Sequence, residues 1–173
     1  MSEQKSREEL LVDYAAGPEL LAVALEGLIE SEMEEMSRAT GEWTIRQIVH
    51  HINDADDLWK MCIKAALGDS GCRFDASWYV VRNGWAETLE YAGMEVGPAL
   101  DLFAANRAHI VQMIQTLPDA WDRHVMFTLA GVASDKPLSV GEVIAFQVGH
   151  TQQHIDDIKE IRLKYGRSDP SIW

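Results

Sequence analysis

The stretch Trp43-Thr44-Ile45-Arg46-Gln47-Ile48-Val49-His50-His51-Ile52 decides the fold class. Thr44 with Gln47 three residues later is a capping box. The hydroxyl accepts from a free backbone N–H at the helix start, and the amide reaches back to the cap. Trp43 and Ile48 stand at the two positions of a hydrophobic staple, which fixes the angle at which the chain enters the helix. Ile45, Ile48, Val49, Ile52, Ala55 and Trp59 then recur at helical period. The pattern runs to about Leu67, where Gly68 and the Gly71 turn stop it. That is roughly 35 Å of helix at 1.5 Å per residue, long for an ordinary domain and normal for a bundle.

Three other segments match it. Ser6 and Glu9 form a capping box ahead of Leu10, Leu11 and Tyr14. Gly17-Pro18 interrupts, and Leu20, Leu21, Val23, Ala24 and Leu28 resume the period. A first helix is therefore expected over 7–28, bent or broken near Gly17. Ser31 to Thr40 is polar and acidic, with Met33 and Met36 as anchors of a short helical turn. Pro98 opens a third long helix whose stripe is Leu100, Phe103, Ala104, Ile110, Val111 and Ile114, and Leu117-Pro118 ends it. Ser139 and Glu142 cap the fourth, with Leu138 and Val143 as its staple; it runs to Tyr165 before Gly166.

The connections are long. Residues 69–96 carry Trp78, Tyr79, Trp85 and Tyr91, which read as packing over the bundle or roofing a pocket. Arg123 to Thr128 has weak strand character and Asp135-Lys136-Pro137 is turn-like, so a short hairpin is possible there. Four long amphipathic helices without a convincing sheet make the chain all-α, a four-helix bundle, read as one domain over 1–173.

The fourth helix is unexpectedly polar in the middle of its inward stripe. Gln147, His150, Thr151 and His154 all fall on that face. Burying them costs free energy unless they are paired. His150 and His154 lie one turn apart and can hold one metal ion; two core histidines satisfied by hydrogen bonds explain the same spacing. On the second helix His50 and His51 point about 100° apart, so one ion does not take both. His51 lies between Ile48 and Ala55 on the buried side and is the better third ligand. His50 points to the flank. Asp54, Asp56 and Asp57 read as a solvated acidic face, with Asp54 also placed to tune a site group. His109 and His124 have no partner at ligand spacing and read as surface or capping residues.

Composition bounds the rest. The 173 residues are 47% hydrophobic and 25% charged, ordinary for a globular chain. A formal net charge of −13 repels phosphate backbones and anionic bilayers, so neither nucleic acid nor membrane is an expected partner. No apolar run can span a bilayer, and Met1-Ser2-Glu3-Gln4-Lys5-Ser6 lacks the core of a signal peptide, which reads as cytoplasmic. Cys62 and Cys72 suggest no disulfide framework and read as small, buried or half-buried thiols.

Gly41 to Asp54 resembles the opening of the second helix in the DinB/YfiT-like superfamily, whose pattern runs W-(S/T)-(V/I)-R-x-V-(V/L)-x-H-(L/I)-A-D. His51 falls on its histidine and Asp54 on its aspartate, while His150 and His154 match the pair on its last helix. Asn53 replaces the usual Ala, and Asp56 stands where Glu is frequent. The resemblance implies an up-down-down-up bundle, a break in the first helix, and a metal site of His51, His150 and His154 with zinc or nickel. It also implies a homodimer acting on a small molecule, as a thiol-dependent S-transferase with a low-molecular-weight thiol cosubstrate or as a hydrolase. Three imidazoles leave an open position at which water or a thiol is activated, and the alternative reading is a metal-stabilised bundle that binds a ligand without chemistry. No general base is assigned; Gln147, Asp54 and Asp157 are near by helical spacing alone.

Overall fold

Ser6, Thr44 and Ser139 cap helices as expected, each with its reciprocal Glu or Gln bond in place. The computed structural model describes residues 5–79, 83–129, 132–133 and 136–170. Helices α1 (Arg7–Leu25), α2 (Glu30–Glu35), α3 (Ile45–Gly68), α4 (Asn83–Thr88), α5 (Gly97–Thr116) and α6 (Val140–Lys164) follow in chain order. The four long ones, α1, α3, α5 and α6, form the bundle. Around it, α1 packs on α6, α6 on α3, α3 on α5, and α5 back on α1. The order is up-down-down-up. Neighbours α3 and α5 run the same way, so the chain between them must travel back along the bundle. The long 69–96 connection is the consequence.

The core has two clusters. Leu58, Ile63, Ile110 and Ile144 centre one; Ile48, Ile52, Phe103 and Ile158 centre the other. Met33 and Met36 are buried, so the short α2 is anchored as expected.

Two expectations need correction. The first helix is not broken: α1 is continuous with Pro18 inside it. Proline lacks the N–H that would bond the Tyr14 carbonyl. Arg107 Nη1 donates to that carbonyl instead, at 3.3 Å. A Cβ at Gly17 would lie in ordinary contact distance, 3.5 Å from Thr151 Cγ2 and 3.7 Å from Phe103, so this part of α1 packs directly on α5 and α6.

The second correction concerns strands. A small sheet joins the two long connections at the C-terminal end of α3. Strand β1 (Arg73–Asp75) pairs in parallel with β2 (His124–Leu129). Strands β3 (Val132–Ala133) and β4 (Leu138–Ser139) pair with β2 antiparallel. The hairpin after Arg123 is thus present, and β1 is the strand that local pattern did not show. The turn at Asp135-Lys136-Pro137 falls partly outside the described residues.

Candidate metal centre

Helix α3 carries His51 to the face opposite α6, and α6 presents His150 and His154 one turn apart. The three rings meet. His51 Nε2 lies 3.3 Å from His150 Nε2, and His154 Nε2 lies 3.2 Å from the same atom. One ring nitrogen from each residue falls within 4.8 Å of the others, the single such cluster of three among the described residues. His50, by contrast, is buried on the flank, its ring against Tyr91 and its Nε2 3.4 Å from the Met94 carbonyl. His109 is exposed, and His124 approaches Ser70 at the sheet.

The donor chemistry fits a cation. Burial pulls His51 down to about 4 and His150 down to about 3, with the neighbouring imidazoles adding to both. His154 is lowered too, by burial against the opposing pull of Asp157. All three are therefore neutral at physiological pH, with ring lone pairs available to a cation. His154 Nδ1 lies 3.0 Å from Asp157 Oδ2. An ionised carboxylate only accepts, so Nδ1 carries the proton and Nε2 is left as a bare lone pair. His150 Nε2 has at most one proton to offer two neighbours. Hydrogen bonding alone leaves lone pairs facing one another, and a divalent ion among them would use all three. Asp157 is itself held by Arg38 at 2.5 Å, the outer support common behind a metal-bound histidine.

Aromatic side chains wall the cluster. Trp43 packs on His51 at 4.5 Å and on His154 at 6.5 Å between ring centroids, and Phe146 stacks on His150 at 5.7 Å. Beside it lies a cavity of about 540 Å³ lined by Trp43, Arg38, Glu42, Ile48, Asp157 and Ile161. The staple that starts α3 thus also builds the cavity wall.

The remaining polar residues of the α6 stripe have a different role. Gln147 Nε2 donates to Asp56 Oδ1 at 2.8 Å, and Arg107 Nε donates to the same oxygen at 2.6 Å. Arg107 Nη2 donates to Thr151 Oγ1 at 3.1 Å. Its guanidinium also lies over Tyr14, 3.8 Å from the ring centroid. Asp56 is therefore buried, at 1% exposure, and is not part of a solvated face. This network ties α1, α3, α5 and α6 together, with Gln147 and Thr151 on either side of His150 along α6. The sequence reading missed it, although a signal was present. Arg107 stands at helical spacing between Phe103 and Ile110, and Asp56 between Ile52 and Ile63.

Two of the three candidate bases are engaged by their neighbours. Gln147 is committed to Asp56, and Asp157 to His154 and Arg38. Asp54 lines a separate cavity.

The DinB superfamily model matches residues 14–158, most of the chain. This protein belongs to the DinB superfamily. Among curated relatives of this DinB member, one from Bacillus licheniformis is 26% identical over 95% of this chain and 90% of its own length. Another, from Geobacillus kaustophilus, is 25% identical over 86% of this chain and 80% of its own. Both carry the name "Putative metal-dependent hydrolase". Among solved structures, YfiT from Bacillus subtilis superposes with a TM-score of 0.79 at 20% identity. The alignment covers 97% of this chain and 94% of YfiT. YfiT is described as a probable metal-dependent hydrolase with an unusual four-helix bundle topology, and the fold here is the same. No helix among the described residues is long and apolar enough to cross a membrane.

Proposed function

We propose that this DinB protein is a metal-dependent enzyme in which His51, His150 and His154 hold one divalent ion, zinc or nickel. The observation that carries the reading is the convergence of three neutral imidazole nitrogens on one point with too few protons to satisfy one another. When bound, the ion would supply Lewis acidity toward a small electrophile and lower the pKa of the water or thiol that attacks it.

The chain's own residues do the rest. Asp157 fixes the His154 tautomer so that Nε2 faces the cluster. Trp43 and Phe146 limit solvent at the rings and lower the local dielectric, which strengthens electrostatics there. The cavity at Trp43 and Asp157 has the size of a small-molecule site. Water is the nucleophile favoured by the names of the relatives; a low-molecular-weight thiol is the competing one.

Elemental analysis of the purified wild type and His51→Ala protein tests the first step. One equivalent of metal in the wild type and none in the variant is expected. Turnover of ester, amide and halide panels with and without added thiol then separates the two nucleophiles. Metal retained by His51→Ala, or a metal-loaded protein inert to every panel, refutes the reading.

A further inference from the structure

The flank of α3 turned away from the histidine cluster has its own cavity. His50, Asn53 and Asp54 share that face, at helical spacings of three and four. The segment after α4 and the start of α5 stand over them. The open cavity has a volume of about 580 Å³, is walled by Leu89, Tyr91, Met94 and Leu102, and shares no lining residue with the cavity beside the cluster. That size suits a small-molecule site.

Three observations give the cavity a chemistry. Asn53 is 9% exposed, and its Oδ1 is buried without a hydrogen-bond partner among the described residues. Asp54 Oδ2 is buried and unpartnered in the same way. Such atoms carry a desolvation cost that a bound donor removes. Finally, Leu89, Met94 and Leu102 are exposed at 48%, 45% and 42% and form an apolar rim. The orphaned atoms are all acceptors, and Glu95 adds another carboxylate to the wall.

We propose that this cavity binds a small amphipathic amine. Its apolar body lies against Leu89, Met94 and Leu102, and its protonated nitrogen pairs with the Asp54 carboxylate, with Asn53 and Glu95 on the same wall. An ammonium brings a positive charge as well as N–H donors, where a hydroxyl brings one neutral donor, so an acidic wall favours the amine. It also offsets a desolvated carboxylate: burial, with Asp57 adding to it, pushes Asp54 up to about 6. A carboxylate ligand would meet repulsion from Asp54 and Glu95.

The test uses the full chain and 4-phenylbutylamine, with 4-phenylbutanol and 4-phenylbutyrate as matched probes. Calorimetry should show the amine binding about tenfold or more tighter than the alcohol, the difference one charged hydrogen bond makes, and no binding of the acid. Amide chemical shifts should move in 50–57 and 89–102. Asp54→Asn should reduce amine affinity by about tenfold and leave the alcohol unchanged. Leu102→Trp, at an exposed helical position, should weaken both by narrowing the mouth. Equal affinity for amine and alcohol overturns the proposal. So does amine binding untouched by both variants, an absence of amine binding, or shifts centred on 150–154.

Discussion

Replacing Arg107 by Met keeps the aliphatic stem and removes the guanidinium. The ion pair it breaks is fully interior, with the two side chains 3% and 0% exposed. Asp56 is left with Gln147 alone, while Thr151 Oγ1 and the Tyr14 carbonyl lose their donor. Removing one partner of a buried pair costs about 3–5 kcal/mol, because the other charge stays desolvated. The orphaned carbonyl and hydroxyl overlap with that figure and do not simply add to it. Against a total stability of about 5–15 kcal/mol the loss is large. In urea, with a slope of about 2 kcal/mol/M, the midpoint should fall by about 2 M. The pH dependence follows from Asp56, whose carboxyl burial already raises while Arg107 pulls it down. Without Arg107 its folded pKa rises further above the unfolded value. The unpaired carboxylate then penalises the fold above that folded pKa, and the penalty eases as pH falls. The gap between wild type and variant should therefore be narrower at pH 5 than at pH 7.5. An Asp56→Leu, Arg107→Met double variant should recover part of the loss. A midpoint shift under about 0.5 M, or a gap that widens in acid, would refute the reasoning.

Three further outcomes are expected. Zinc at about 100 times its Kd should stabilise the wild type by about 2.7 kcal/mol in thermal or urea unfolding, and His154→Ala should show no such gain. Asp157→Asn should weaken metal affinity about 10–100-fold in a chelator competition, because the His154 ring loses its outer support; unchanged affinity would remove Asp157 from that role. The metal-free protein should lose stability as pH falls below about 6.5. His51 and His150 have folded values of about 4 and about 3, so the unfolded chain binds more protons in that window. Their contribution is complete above the unfolded value and is lost toward the folded ones. A flat urea midpoint from pH 7 to pH 5 counts against burial of both rings.

Local chemistry along the chain determined the helices. Capping boxes at Ser6, Thr44 and Ser139, the staple at Trp43 and Ile48, and the stop at Gly166 are interactions within a few residues, so their signals are contiguous and readable. That His51 rather than His50 turns toward α6 was legible for the same reason, since helical phase against Ile48 and Ala55 sets which ring meets that helix. What only the tertiary structure decided lies between elements distant in sequence. The parallel pairing of Arg73–Asp75 with Met126–Thr128 bridges two connections, of which only the second carries a strand signal, and a weak one. Pro18 reads as a break because its missing donor is visible in sequence, while the compensating donor sits on Arg107 in another helix. Asp56 reads as a surface acid until α5 and α6 close over it with Arg107 and Gln147. A charge is buried or solvated according to what packs on it, and packing is a property of the assembled bundle.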